Sequence, residues 1–280
     1  MALSILNNIT SLAAQNQLSM TGASLKTTLL RLSSGSRINS GADDAAGLAI
    51  ADGLNANVTA LTQSARNATD GVGLLQVSDG AMSQVTTLLN RAVTLATEAS
   101  TGTVNNTQRQ ALDAEFTAIK NEITRIGSNT TYNGSAVFSG AATDIYLSDG
   151  TTTGSSPITV TVGVLSDASV GFTGTPVDLT ADSLTSAAGA QAALTDVNTA
   201  IANVAADRGT MGAVMNRLQS ASNVISNQIQ NLSSAEDGIK AADIGQEVAN
   251  LSKYNILQQT GITALQQSNQ IQQSVLKLLQ

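Results

Sequence analysis

The C-terminal end of the chain carries an unbroken coiled-coil pattern. Its apolar and amide residues are separated alternately by four and three positions, the spacing that keeps one face of a helix against a partner helix. The residues of this row are Ile244, Val248, Leu251, Asn255, Gln258, Ile262, Leu265, Asn269, Gln272, Leu276 and Leu279. The pattern predicts a long final helix that requires another helix to cover this face.

The N-terminal end repeats the same spacing in two frames. The two rows contain Ile5, Ile9 and Leu12, then Leu18, Leu25, Leu29 and Leu32. Two amphipathic ends of one chain can pair, but the amides in the C-terminal row make that pair weak alone. We therefore expect both ends to form a subunit-assembly seam and to be disordered in the monomer. The alternative is that a partly exposed helix simply tolerates the amides.

Composition excludes several classes of function. Histidine and cysteine are both absent from the 280 residues, and aromatic residues make up only 2%. The first absence excludes Ser-His-Asp and Cys-His catalysis and zinc sites built on these ligands. Carboxylate and Ser-Lys chemistry stays open, but we expect no enzyme, cofactor or metal site. The scarcity of aromatic side chains favours a thin bundle whose core is Leu, Ile, Val and Ala.

Charge and hydropathy disfavour nucleic acid and membrane partners. The formal net charge is −7, and the 13 Lys and Arg residues are scattered rather than clustered as phosphate binding requires. The longest apolar runs, such as residues 45–51, are much shorter than the roughly 18–20 residues that span a bilayer. No basic segment precedes the first apolar residues, so we expect no cleaved signal peptide.

Helical periodicity also covers most of the interior. We predict a long helix over residues 43–100, a shorter one around 112–126 and another long one from about 183 to 232. Asp43 and Asp44 stand where acidic side chains favour the start of a helix. The predicted rows of the two long helices are Leu54, Val58, Leu61, Ala65, Ala68, Val72, Leu75, Asp79, Met82, Thr86 and Leu89, and Val197, Ile201, Val204, Arg208, Met211, Met215, Leu218, Ser222, Ile225, Ile229 and Leu232.

Residues 128–182 differ from the rest of the chain. They are rich in Thr, Ser and Gly and contain both prolines, Pro157 and Pro176. Partial alternation over residues 144–147 and 158–164 predicts short strands and a hairpin. The sequence as a whole therefore predicts a mainly α fold, a long antiparallel coiled-coil helix bundle with a small β-hairpin region at its tip.

Two turn-rich breaks divide this bundle into modules. We expect residues 1–34 and 241–280 to form an inner terminal-helix coiled coil. Residues 43–235 would form an outer helical bundle, with residues 35–42 and 236–240 as the connecting segments. The breaks lie at comparable distances from the two termini, as expected of a chain folded back on itself so that its ends run side by side.

Three stretches of the sequence are similar to a known family. Residues 32–51 read LSSGSRINSGADDAAGLAIA, residues 207–218 read DRGTMGAVMNRL, and residues 249–270 read ANLSKYNILQQTGITALQQSNQ. Each resembles a bacterial flagellin motif, and the three occur in the family's order. Only the segment 128–182 has no such likeness.

The resemblance implies a flagellin-like helical homopolymer outside the cell, a filament used for swimming. The terminal helices would line its inner tube, and the outer bundle would form the wall. It further implies passage through the flagellar export apparatus with an export chaperone, and contacts with the filament cap and hook-junction proteins. The alternatives are a hook–filament junction protein and a secreted surface-binding module.

The resemblance also points to a receptor patch. Arg91, Leu95 and Glu115 match positions through which many flagellins are detected by the animal flagellin-sensing Toll-like receptor. Val93 and Thr94 depart from the residues common there. The alternative is that the three residues serve only subunit packing.

Overall fold

Helices make up most of the molecule. The computed structural model describes residues 8–150, 157–172 and 174–278, with the side chains of residues 272 and 275–278 left undescribed. The described elements are α1 (Ile9–Ser34), α2 (Ala45–Ser100), α3 (Asn106–Asn129), β1 (Thr131–Tyr132), β2 (Ser135–Ala136), β3 (Ala142–Ile145), β4 (Ile158–Thr161), α4 (Ala187–Lys240) and α5 (Ile244–Leu278). The mainly α fold with a small antiparallel strand region is confirmed.

The chain forms two compact units. The first comprises Met1–Ala56 with Asn231–Gln280, and the second comprises Asn57–Gln230. These units divide within the two long helices, so α2 and α4 each contribute residues to both units. The modules expected from the sequence divide at residues 43 and 235 instead. The assignment of separate assembly roles to the two modules stays a prediction.

The first unit pairs the two ends of the chain in antiparallel orientation. Ser11 Oγ donates to Asn269 Oδ1 at 3.2 Å near one end of the pair. Arg31 Nη1 donates to Glu247 Oε1 at 3.3 Å near the other end. Low residue numbers of α1 thus face high numbers of α5, which is the pairing expected of a chain whose ends run side by side.

The second break between helices lies a few residues later than the sequence pattern indicated. Residues 236–240, predicted as a connecting segment, form the last turn of α4. Gly238 weakens a helix by only about 1 kcal/mol, and Lys240 lies 4.0 Å from Glu236 one turn earlier. The new helix starts where Asp243 accepts a hydrogen bond from the Gln246 backbone N–H at 3.1 Å, which caps α5.

The loop before α2 uses its two acidic residues differently. Asp44 Oδ1 accepts from the Gly47 N–H at 2.9 Å and caps the helix, as expected of an acidic residue at a helix start. Asp43 instead closes the loop by accepting from the Asn39 and Ser40 N–H groups. These hydrogen bonds lower the pKa of the Asp43 carboxyl below its ordinary value.

The second unit is a helical core in which large and small side chains share the buried faces of α2 and α4. The buried row of α2 consists of Leu61, Ser64, Ala68, Gly71, Leu75, Ser78, Met82, Val85, Leu89, Ala92, Ala96 and Ala99. Half of the predicted row is therefore correct, since Leu61, Leu75 and Leu89 are buried. The other half is wrong by one position, because small residues such as Gly71 face the core where larger neighbours were expected.

Helix α4 shows the same offset. Val197, Val204 and Met211 are buried as predicted. The companion row contains Ala200 and Asp207 rather than their larger C-terminal neighbours. Small side chains let the helix backbones approach more closely, and the larger residue beside each one covers the flank. Phe116 and Ile123 of α3 complete this core with the face that the sequence predicted.

Two short antiparallel strand pairs lie between α3 and α4. The β1–β2 hairpin turns through Asn133 and Gly134, whose φ angles of 48° and 78° explain the choice of Asn and Gly. Strand β3 pairs with β4, with Ala142 opposite Thr161. The predicted hairpin region is confirmed.

A buried lysine fastens the segment that leads into α4. Lys120 of α3 donates through Nζ to the carbonyl oxygens of Leu179 at 3.1 Å and Asp182 at 2.8 Å. The same ammonium lies 5.3 Å from the centre of the Phe116 ring, a cation–π contact. Burial, and next the nearby charge of Asp196, raise the pKa of the Asp182 carboxyl to about 6, although the Lys120 charge opposes the shift.

The raised pKa makes the second unit less stable at neutral pH than at mildly acidic pH. The ordinary value is 3.8, so between about pH 4 and pH 6 the folded chain holds a proton that the unfolded chain releases. Stability therefore falls as pH rises through this window. We expect Asp182→Asn to raise Tm at pH 7.5 by about 2–4 °C, the effect of about 1 kcal/mol in a domain of this size. The gain should be clearly smaller at pH 4.5, where most of the window has not been crossed.

Thermal unfolding at the two pH values measures this difference. Asp178→Asn is the matched control in the same segment, because hydrogen bonds from Thr180 lower the pKa of that carboxyl. It should lower Tm at pH 7.5, the opposite sign. An Asp182→Asn gain that is equal at both pH values would contradict the assignment.

Candidate self-assembly surface on the terminal helices

The contact between α1 and α5 is formed largely by small and polar side chains. The more buried positions again follow spacings of three and four residues. They are Ser11, Ala14, Leu18, Thr21, Leu25, Thr28 and Leu32 on α1, and Glu247, Leu251, Tyr254, Gln258, Gly261, Leu265 and Ser268 on α5. Eight of these fourteen positions carry a small or polar side chain, so the contact covers few large apolar side chains.

The structure divides the predicted assembly seam into two groups. Leu25, Leu32, Leu251, Gln258 and Leu265 line the α1–α5 contact. Ile9, Leu12, Leu29, Ile244, Val248, Asn255, Ile262 and Asn269 are exposed. Ile5 and Leu279 lie outside the described residues, as does the side chain of Leu276. The prediction that these residues mediate subunit assembly stays a prediction.

The exposed apolar side chains concentrate on these two helices. Eleven of the sixteen large hydrophobic residues that are exposed in the described chain belong to α1 or α5. Sequence periodicity missed five of them, namely Met20, Leu30, Ile256, Leu257 and Ile271. The sequence does contain a signal for them, since several of these apolar residues stand directly beside a residue of a predicted row. Apolar residues on more than one face of a helix indicate more than one partner helix.

Burial of this surface would release substantial free energy. Ile9 is 72% exposed and Ile256 is 64% exposed. Covering a side chain of this size contributes about 1.5–3 kcal/mol. Exposed large apolar residues concentrated on two helices are typical of an interaction site, so α1 and α5 have the chemistry of an interface that remains open in one isolated subunit.

The predicted receptor patch is only partly a surface. Arg91 Nε lies 2.7 Å from Glu115 Oε1, and Arg91 Nη2 lies 3.0 Å from Oε2, a two-pronged ion pair between α2 and α3. The hydrogen bond from Arg91 lowers the pKa of the Glu115 carboxyl. Leu95 is 1% exposed and packs in the core, so Arg91 and Glu115 are the exposed part of the predicted patch. Receptor binding at these residues stays a prediction.

Among the described residues, no helix combines the length and apolar character that crossing a membrane requires. The long helices instead alternate apolar and polar positions, as helices that pack against other helices do.

Comparison with known proteins agrees with this arrangement. Residues 5–143 match the bacterial flagellin N-terminal helical region, and residues 194–279 match the bacterial flagellin C-terminal helical region. A flagellin of Halalkalibacterium halodurans is 33% identical over 249 residues, covering 89% of each chain. A flagellin of Bacillus subtilis is 31% identical, and the alignment covers 98% of each chain.

Solved structures supply a further comparison. A putative flagellar hook-associated protein from Vibrio parahaemolyticus covers 71% of this chain with a TM-score of 0.58 at 14% identity, which shows a shared fold only. A crystal structure of Bacillus cereus flagellin covers 61% of this chain at 29% identity, with a TM-score of 0.48. The sequence matches over nearly the whole length decide the assignment: the chain belongs to the bacterial flagellin family and is a structural subunit of the flagellar filament, an extracellular appendage.

Proposed function

We propose that α1 and α5 make the contacts that build the filament, and that they line its inner tube. The observation that carries the proposal is the concentration of exposed large apolar side chains on these two helices. In the polymer these side chains are buried against the terminal helices of neighbouring copies. The family membership supports a polymer, and the exposed residues support this surface as the one that holds it together.

The amides of the terminal helices fit the same arrangement. Asn255 and Asn269 are exposed on α5, and Gln258 is half-buried against α1. Amides that face a water-filled tube or a neighbouring copy keep their hydrogen bonds, whereas the same groups in a dry contact need specific partners. The proposal therefore assigns polar positions to the tube or to contacts between copies, and apolar positions to helix packing. Disorder of both ends before assembly stays a prediction.

The further partners are proposed from the family resemblance. They are the flagellar export apparatus with an export chaperone, the filament cap and the hook-junction proteins. The proposed role is purely structural, and export without a cleaved signal peptide remains an expectation. Three relatives that match this chain over 89–98% of its length are flagellins, which favours a filament subunit over the junction-protein and surface-binding alternatives.

Removal of both ends should abolish polymerisation. We expect the full chain to form long tubes on short filament seeds, and a copy trimmed to residues 43–235 to form none, since it lacks α1 and α5. Negative-stain electron microscopy with seeds measures both. Circular dichroism of the trimmed copy verifies that its helices persist, because a trimmed chain that had unfolded would not test the contacts. Tubes from a folded trimmed copy would contradict the proposal.

Single substitutions on the exposed face should weaken polymerisation without unfolding the subunit. Leu12 is 58% exposed and Ile262 is 45% exposed. Leu12→Ser or Ile262→Ser should raise the critical monomer concentration about tenfold, because losing roughly 1.5–3 kcal/mol of burial shifts an equilibrium by at least that factor. Sedimentation of seeded filaments measures the concentration left in solution.

Val224→Ser is the matched control for this series. Val224 is 55% exposed but lies in the α4 portion of the second unit. It should leave the critical concentration unchanged. An equal increase from Val224→Ser, or none from either terminal-helix variant, would show that the assembly surface is not specific to α1 and α5.

We also propose that the exposed Arg91–Glu115 pair is recognised by the flagellin-sensing Toll-like receptor. Its support is the family resemblance together with the exposure of both charged groups. Arg91→Ala should reduce reporter activation about tenfold while filament assembly is retained, since loss of a charged interface contact costs about 1.4 kcal/mol or more. Arg66→Ala, another exposed arginine of α2, is the control. Unchanged activation by Arg91→Ala would count against recognition at this pair.

A further inference from the structure

We propose that the ion pair between Arg31 and Glu247 sets the register of the antiparallel α1–α5 pair. Register here means which residues of α1 lie opposite which residues of α5. It decides how the apolar side chains of the two helices are arranged for a second copy of the chain. This consequence for the filament rests on the proposed function, whereas the register is a property of the subunit alone.

Apolar packing does not choose one register. Leu18, Leu25 and Leu32 recur every seven residues on the buried side of α1, and Leu251 and Leu265 belong to a row of the same period on α5. Small or polar residues fill the positions between them. In the observed register Leu18 lies beside Gly261. A slide of seven residues would place it beside Tyr254, so a leucine again packs on a residue of the facing row.

The backbone junction beside the pair is equally insensitive to side-chain identity. Arg37 N–H donates to the Lys240 carbonyl at 2.7 Å, and Ala242 N–H donates to the Gly35 carbonyl at 3.0 Å. The acceptors here are main-chain carbonyls, which every residue carries. The Ile239 carbonyl that Arg37 Nη2 reaches at 2.7 Å is another, so these hydrogen bonds do not recognise particular residues. The junction therefore leaves register to be decided by groups with a chemical identity.

Glu247 is a charged group that can distinguish one register from another. It is the one carboxylate in the sequences of α1 and α5, and it is 7% exposed. In the observed register Arg31 Nη1 reaches its Oε1 at 3.3 Å. A slip of one heptad would place Glu247 opposite Ser24 in one direction, and beyond the end of α1 in the other. A buried carboxylate without a partner is strongly unfavourable, so the register that places Glu247 opposite Ser24 is disfavoured.

The surroundings of the pair make that penalty hard to avoid. Arg31 Nε and Glu247 Oε2 are both buried and without a hydrogen-bond partner. Water therefore does not reach these atoms, and the Nη1–Oε1 contact is the described hydrogen bond of the carboxylate. Loss of that contact would leave a desolvated charge with no replacement.

Register matters for a polymer because α1 and α5 both contribute exposed apolar side chains to the proposed assembly surface. Leu12 and Leu29 come from α1, whereas Val248 and Ile262 come from α5. A slip of seven residues displaces one set relative to the other by about 10 Å at 1.5 Å per residue. A subunit in the slipped register would not match the faces of its neighbours.

Engineered disulfides can report the register directly, since the chain has no cysteine of its own. A Cβ placed on Gly261 lies 4.0 Å from Leu18 Cβ, within the roughly 3.5–4.5 Å that a disulfide spans. Leu18→Cys with Gly261→Cys therefore reports the observed register. Leu18→Cys with Tyr254→Cys reports the slip of one heptad that places Glu247 opposite Ser24.

Glu247→Gln should lower the ratio of 18–261 to 18–254 disulfide by about tenfold or more, because an uncharged side chain no longer requires Arg31. The exchanged pair, Arg31→Glu with Glu247→Arg, should restore the ratio. Glu122→Gln is the control, since it removes one partner of an exposed ion pair with Arg125 in the second unit. It should leave the ratio unchanged. Both disulfide yields are measured under the same brief oxidation, in soluble subunits and in seeded filaments.

An unchanged ratio in Glu247→Gln would overturn the proposal and leave the backbone junction as the determinant of register. If Glu247→Gln yields no folded or polymerising chain, the exchanged pair decides. Restored polymerisation with the 18–261 disulfide supports the proposal, and failure to restore it overturns the proposal. A parent chain that shows the 18–261 disulfide but never polymerises would instead contradict the proposed function, which keeps the two failures distinct.

Discussion

The terminal helices carry more apolar surface than one antiparallel pair can bury. They face each other through residues such as Thr21, Thr28 and Gly261, while Ile9 and Ile256 stay exposed. Apolar burial is the dominant favourable term in folding and association. For these helices, therefore, completion of their packing and association with further copies are the same process. The second unit differs, since its helices already enclose a core of their own.

Sequence periodicity located every long helix but only half of each buried face. In α2 the predicted Leu75 and Leu89 are buried, whereas the second row lies one residue earlier and contains Ser64, Gly71 and Ser78. A prediction from hydrophobic periodicity assigns the largest apolar side chain of each helical turn to the buried face. Close helix packing selects small ones, because they let backbones approach. Size complementarity between facing helices is invisible in one sequence, and for that reason this row was misplaced.

The candidate surface was predictable as a set of residues but not as a geometry. Leu25 and Leu29 belong to one predicted row, yet the first lies against α5 and the second is 49% exposed. The spacing states that a face needs a partner and not whether the partner is the same chain or another copy. Leu95 shows a related limit, since a motif match located the residue while only packing showed it to be buried.

A core built from Leu, Ile, Val and Ala has many arrangements of similar free energy, because dispersion and apolar burial have little directionality. The few buried polar groups are directional. Arg109 donates to the Ala99 and Thr101 carbonyls where α2 ends. Lys120 donates to the Asp182 carbonyl in the segment that leads into α4. Each such group has one arrangement in which its hydrogen bonds are satisfied. The apolar residues thus provide most of the stabilisation, and the rare charged ones select which packing is adopted; Glu247 applies the same principle to the terminal helices.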